Sequence, residues 1–219
     1  MPVNIIGKKL THAVLITVFL LLLNGCGESQ EPAVNQINHL AQNSQEIDKA
    51  LASLSNHEQE DMKLYNAILR QGKEKNSNVT GYLDQVETHI QARRTILEQI
   101  EIARQKTDEQ TKSLQQSLLK LSFEKEETLS LAGKALEQFE SRNQTLQMFI
   151  EAYELGLEAE GQVYGSMRAR TKTDLKEIKL AIQKRNVLYD KLTEIQEKFN
   201  LLTQTFNNTQ EQLIKLSQF

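Results

Sequence analysis

Residues 173–216 read TDLKEIKLAIQKRNVLYDKLTEIQEKFNLLTQTFNNTQEQLIKL, with neither proline nor glycine among them. Leu175, Ile178, Ile182, Leu188, Leu192, Ile195, Phe199, Leu202, Phe206, Leu213 and Leu216 recur at steps of three or four residues, or of two such steps. That spacing lays one apolar stripe along a helix, and Thr173-Asp174 suits its start. At about 1.5 Å per residue such a helix is roughly 60 Å long. One amphipathic helix cannot hide its own stripe, so the remainder of the chain must cover it.

Upstream, the same pattern repeats. Leu129, Leu136, Phe139, Leu146, Ile150, Tyr153 and Leu157 form a third run that fades through Gly156, Gly161 and Gly165. Arg168, Arg170 and Lys172 then favour a helix C-terminus by complementing its partial negative charge. The second run is Val79, Val86, Ile90, Leu97, Ile100, Thr107, Leu114, Leu118 and Leu121. Ser122 is a good N-cap, and Glu124, Glu126 and Glu127 crowd the turn after it, which places a tight turn near 121–123. The first run is Ile37, Ala41, Ser44, Ile47, Leu51, Leu54, Glu58, Met62, Tyr65 and Ile68. Between the first two runs, 72–78 (GKEKNSN) is the most helix-averse interval and reads as a turn.

Four helical segments of about 40 residues with short connections predict an all-α, elongated up-and-down four-helix bundle over 33–219. If 72–78 is a kink, the alternative is a longer three-helix, spectrin-like bundle. The only prolines are Pro2 and Pro32, so the strongest helix breaker is absent after residue 32. Abundant Glu, Gln, Lys, Leu and Ala support the same class. With 26 basic and 29 acidic residues the net charge is -3, and no basic run with interleaved aromatics points to nucleic acid.

The N-terminus carries a different message. Lys8 and Lys9 precede the apolar run Ala13–Leu23, which is of export-signal length and short for a stable membrane span. Leu23-Asn24-Gly25-Cys26 follows, and Cys26 is the only cysteine. This resembles the lipobox of bacterial lipoproteins, which implies cleavage after residue 25 and acylation of the Cys26 thiol. The expected organisation is a signal peptide over 1–25, lipidated Cys26 with a short tether to 32, and the bundle. The expected location is the outer face of the cell membrane, held there by lipid in the bilayer.

Candidate chemistry is sparse. His39, His57 and His89 are not spaced to bring two ligands onto one helix turn, and His57-Glu58 lacks the second histidine of a zinc-protease helix. The scattered glycines cradle no phosphate, and no serine elbow occurs. Glu60-Asp61 and Glu126-Glu127 are read as solvated helix faces. No enzyme activity, cofactor or metal is expected. In a bundle tethered at Cys26, the first and third turns lie far from the membrane. They carry Arg70, Lys73, Lys75, Arg168, Arg170 and Lys172 against Glu74 and Asp174, a basic tip suited to an anionic polymer. Plain helix-end electrostatics would also place several of these charges.

The interval Glu60–Gly72 (EDMKLYNAILRQG) resembles a segment of the YkyA-type cell-wall-binding lipoproteins of Gram-positive bacteria. It shares a Leu-Tyr pair, an apolar residue three positions on, and a closing glycine. Arg94, Arg142 and Thr173-Asp174 sit in similar contexts. The resemblance implies an envelope lipoprotein with a four-helix bundle and supplies no binding residue. The function expected is wall or envelope binding or scaffolding, with cell-wall polymer or an envelope protein as partner. The alternative is an adaptor or oligomerising coiled-coil protein that packs on a partner at the membrane surface.

Overall fold

The computed structural model describes residues 32–72, 78–118, 126–168 and 175–217. They form α1 (Pro32–Asn43), α2 (Gln45–Gln71), α3 (Thr80–Leu118), α4 (Glu126–Arg168) and α5 (Leu175–Leu216), with no strand among the described residues. Side-chain pairs set the order of the arms. Asn43 meets Gln110, and Asp61 meets His89, so α3 runs back along the first arm. Arg94 bonds Glu154 while Gln115 bonds Glu140, and Tyr189 bonds Glu160 while Phe206 packs on Phe139. Neighbours are therefore antiparallel, as short connections demand. The chain reverses between Gly72 and Asn78, which rules out the three-helix alternative. Asn78 Oδ1 accepts the Thr80 amide at 2.9 Å and caps the start of α3.

The first arm, expected as one helix, is broken at Ser44 into α1 and α2. The interruption is slight: Ser44 keeps right-handed helical angles, and its amide still donates to Leu40 while its carbonyl accepts from Asp48. The Ser44 hydroxyl donates to the Ala41 carbonyl at 2.8 Å, a competing local bond that loosens a helix.

The bundle interior holds two apolar clusters. The smaller gathers Val34, Ile37 and Leu40 of α1 with Leu114, Ala135, Leu136, Phe139, Phe206 and Leu213. This is the end at which α1 begins, α3 and α5 finish and α4 starts. The larger cluster runs from Ile47 and Ile100 to the opposite end, where Tyr65 packs edge-on against Tyr164. The long axis between these ends follows α4, 43 residues long, hence about 60 Å.

Helix α4 is the most enclosed, with buried positions on more than one face. A helix flanked on several sides needs small residues where neighbours come close. Ala132, Ala135, Ala152, Ala159 and Gly156 supply them, and Gly156 lies under the Tyr189 ring. Close packing accounts for Gly156 alone; Gly161 and Gly165 are exposed, with nothing within 4 Å of a would-be Cβ among the described residues, and the helix continues through them to Arg168. No described helix is long and apolar enough to cross a membrane.

Candidate functional site

Of the residues singled out from sequence, Cys26, Lys73, Lys75, Arg170 and Lys172 lie outside the described residues. Arg70 and Arg168 occupy the last turns of α2 and α4, at the end opposite the start of α1. Both are exposed. Arg168 is engaged: it meets Asp84 at 2.7 Å and Glu87 at 3.4 Å, both on the opening turns of α3. Those two carboxylates moderate the charge of this end, which adjacent sequence alone had counted as basic.

A few charged side chains lie inside the bundle, among them Asp61, Arg93, Arg142 and Glu160. In the larger cluster, Arg93 of α3 is 1% exposed and reaches two buried carboxylates. Its Nη2 lies 2.7 Å from Asp61 Oδ2 and 2.7 Å from Glu160 Oε2. The Tyr189 hydroxyl donates to the same Glu160 oxygen at 2.9 Å, and His89 Nδ1 lies 2.7 Å from Asp61 Oδ1. All four long helices α2–α5 thus contribute to one polar layer. Burial works against the Arg93 charge, but Glu160, Tyr153, Tyr189 and Asp61 outweigh it and hold its pKa above the ordinary value. Burial raises the Asp61 carboxyl, opposed chiefly by Arg93, and raises Glu58, opposed by Tyr153 and Arg93.

The reading of Glu60-Asp61 as a solvated pair is therefore half wrong. Glu60 is exposed, but Asp61 is 5% exposed and occupies a core position. The buried face of α2 runs Leu54, Asp61, Tyr65, Ile68, while Met62 points outward. The apolar spacing through Glu58 and Met62 differs from this face, since Asp61 and not Met62 holds the buried position between Leu54 and Tyr65. His57 and His89, unrelated in sequence spacing, come together across α2 and α3 with ring centroids 5.5 Å apart. Sequence could not show this, because only the register of two antiparallel helices relates them.

A second polar layer separates the two apolar clusters. Arg142 of α4, 1% exposed, donates from Nε to Thr203 at 3.0 Å and approaches Asp48 at 3.3 Å. Its guanidinium carbon sits 4.6 Å from the Phe199 ring centre and 5.5 Å from that of Phe139. Burial lowers the Arg142 pKa, with Asp48 pulling the other way. Beside it Asn143 donates to Thr107, which in turn donates to the Arg104 carbonyl.

Outside the core, α3 and α4 leave an open groove lined by Leu97, Ile102, Ile150 and Leu155, with Arg94, Glu98, Glu101 and Glu154 at its margins. Ile102 and Leu155 are well exposed. Arg94 and Glu154 close part of the rim at 2.7 Å. The groove offers an apolar surface, and the charged residues at its margin do not converge on a reacting position.

A family model described as "Putative cell-wall binding lipoprotein" (YkyA) matches residues 28–216, nearly all of the chain and all five helices. The chain belongs to the YkyA family. The match begins two residues after Cys26, so the family segment is the bundle with its tether. Among solved structures, this YkyA-family bundle is similar to a conserved protein of unknown function from Staphylococcus aureus, determined at 1.6 Å. The TM-score is 0.67 with 12% sequence identity, over 82% of this chain and 88% of that one. At that identity the likeness concerns the fold, which is helical in both. No curated protein sequence matches significantly.

Proposed function

We propose that the protein is an envelope lipoprotein, tethered through acylated Cys26 to the outer face of the cell membrane, and that its bundle is a stiff spacer. The observation that carries this reading is directional. The chain enters the bundle at Pro32, six residues after Cys26, and the α2–α3 and α4–α5 reversals lie at the opposite end. Lipid fixes the first end, and the bundle holds the second about 60 Å away. There Arg70, Lys73, Lys75, Arg170 and Lys172 meet an anionic wall polymer, while Arg168 serves the bundle through Asp84 and Glu87. The protein acts by binding and not by catalysis, needing neither cofactor nor nucleic acid.

Two measurements test this. Cys26→Ala should shift the protein from the membrane fraction to the soluble one. Replacing Arg70, Lys73, Lys75, Arg170 and Lys172 with Glu, with Arg168 kept, should weaken co-sedimentation with purified cell walls several-fold and make the remainder less salt-sensitive. Unchanged sedimentation removes the wall-binding reading. The adaptor alternative would use the α3–α4 groove, where Ile102 and Leu155 stand exposed. Proximity crosslinking separates the two: glycan adducts from position 70 belong to the first, protein adducts from position 102 to the second.

A further inference from the structure

His57, Glu60 and His89 each offer a ligand atom, and these atoms all lie within 4.8 Å of one another. Two ligands of a tetrahedral zinc ion, each bound at about 2.0–2.1 Å, stand roughly 3.4 Å apart. The atoms lie no more than about 1.4 Å beyond the spacing of a filled site, so binding draws the side chains together, with the exposed Glu60 the most readily moved. Two imidazoles and one carboxylate suit zinc or a similar divalent transition ion, and the ordinary surface alternative, a calcium or magnesium site, would call for more oxygen.

Two further observations favour a ligand here over a chance meeting of side chains. His89 Nδ1 is already taken by Asp61 Oδ1 at 2.7 Å, and Asp61 is itself held by Arg93 at 2.7 Å. This is the carboxylate–histidine arrangement that fixes a ligating ring in its orientation and leaves Nε2 for the metal. His57 Nδ1, in turn, is buried and has no hydrogen-bond partner, a costly state for a polar nitrogen. Among the described residues no protein group competes for its lone pair.

We propose that His57, Glu60 and His89 bind one zinc-class divalent ion between α2 and α3, with the fourth position open to water. The ion is a cross-link: His57 and Glu60 belong to α2, His89 to α3. Binding to the folded state alone stabilises it by mass action. The inference stands apart from the wall-binding reading and does not need it.

The test uses the full chain in detergent, with Zn2+ as the only added probe. Isothermal titration should show one high-affinity equivalent per chain. The midpoint of thermal unfolding should rise with Zn2+ concentration, and Co2+ should give the visible absorption of a tetrahedral ion. His57→Gln and Glu60→Gln should each weaken Zn2+ at least tenfold while leaving metal-free helix content unchanged. Because each variant keeps Cys26, any contribution of its thiol is common to both sides of the comparison. Zinc affinity equal in wild type and both variants, or no binding by the wild type, would overturn the proposal. His89→Gln is a poorer probe, since it also removes a partner of Asp61.

Discussion

Replacing Arg142 with methionine removes a guanidinium from between the two apolar clusters while keeping most of its volume. What is lost is the bond to Thr203, about 1.5–3 kcal/mol for a charged donor, and the contact with the Phe199 ring, about 2 kcal/mol when desolvated. Asp48, 31% exposed, can turn to water once Arg142 is gone, so leaving it unpaired costs little. What is gained is relief from burying the charge, several kcal/mol by the usual scale of ion desolvation. Nη1 of Arg142 is buried without a hydrogen-bond partner, which adds to that relief. The two sides nearly cancel, and Arg142→Met should change stability by no more than about 2 kcal/mol. Asp48→Leu should behave differently. It leaves the buried cation without the carboxylate it meets among the described residues, at a cost of about 3 kcal/mol, the low end for a broken buried pair because Thr203 and the rings remain. The double variant should recover most of that loss. Urea unfolding of wild type, both single variants and the double variant at neutral pH, followed by circular dichroism, closes the cycle. If Arg142→Met is the more damaging single change, the buried guanidinium is a net source of stability and the reasoning fails.

Glu58→Gln tests burial through pH. Burial raises the Glu58 carboxyl above 4.5 in the folded state, so the neutral acid is the form that folding favours, and its contribution is lost as pH rises through the folded value. Relative to wild type, the variant should be no more stable below about pH 4.5 and should gain progressively above it; a flat difference from pH 4 to 8 would contradict this. Glycine replacement tests α4: a Cβ at Gly156 would touch the Tyr189 ring at 3.7 Å, ordinary contact, and at Gly161 and Gly165 it would meet nothing within 4 Å. Each Gly→Ala change should stabilise by about 0.5–1 kcal/mol in a helix interior, seen as a higher thermal midpoint, and destabilisation at Gly156 would show tighter packing there than these distances allow.

The arms of the bundle could be read from the sequence because they depend on local rules. Val86, Ile90, Leu97, Ile100 and Leu114 are all buried on α3 as their spacing predicts, and Leu192, Ile195, Phe199, Phe206 and Leu213 are buried on α5. The expected turn at 121–123 falls outside the described residues, between the end of α3 at Leu118 and the start of α4 at Glu126. What could not be read depends on register between helices. Asp61 and Arg93 are charged side chains that local rules place in water, and only their 2.7 Å contact across α2 and α3 accounts for their burial. The same holds for Arg142, buried by aromatic rings from its own helix and α5, and for His57 and His89, which meet only across α2 and α3. The break at Ser44 was hidden for a different reason. Serine on an apolar face looks like a tolerated substitution, and only its bond to Ala41 distinguishes a loosened turn.

That break has a mechanical consequence. Tension between the N-terminus and the far reversals runs parallel to the helices, so it shears α1 past its neighbours and strains Val34, Ile37 and Leu40 together instead of peeling them in sequence. Ser44 then marks where the first arm would part. A pull strong enough to extract α1 would unravel twelve residues, replacing about 18 Å of helix with about 40 Å of extended chain, a gain of roughly 2 nm, before the force reached Ile47 and the larger cluster. Under such a load the end at which α1 begins would yield before the opposite end.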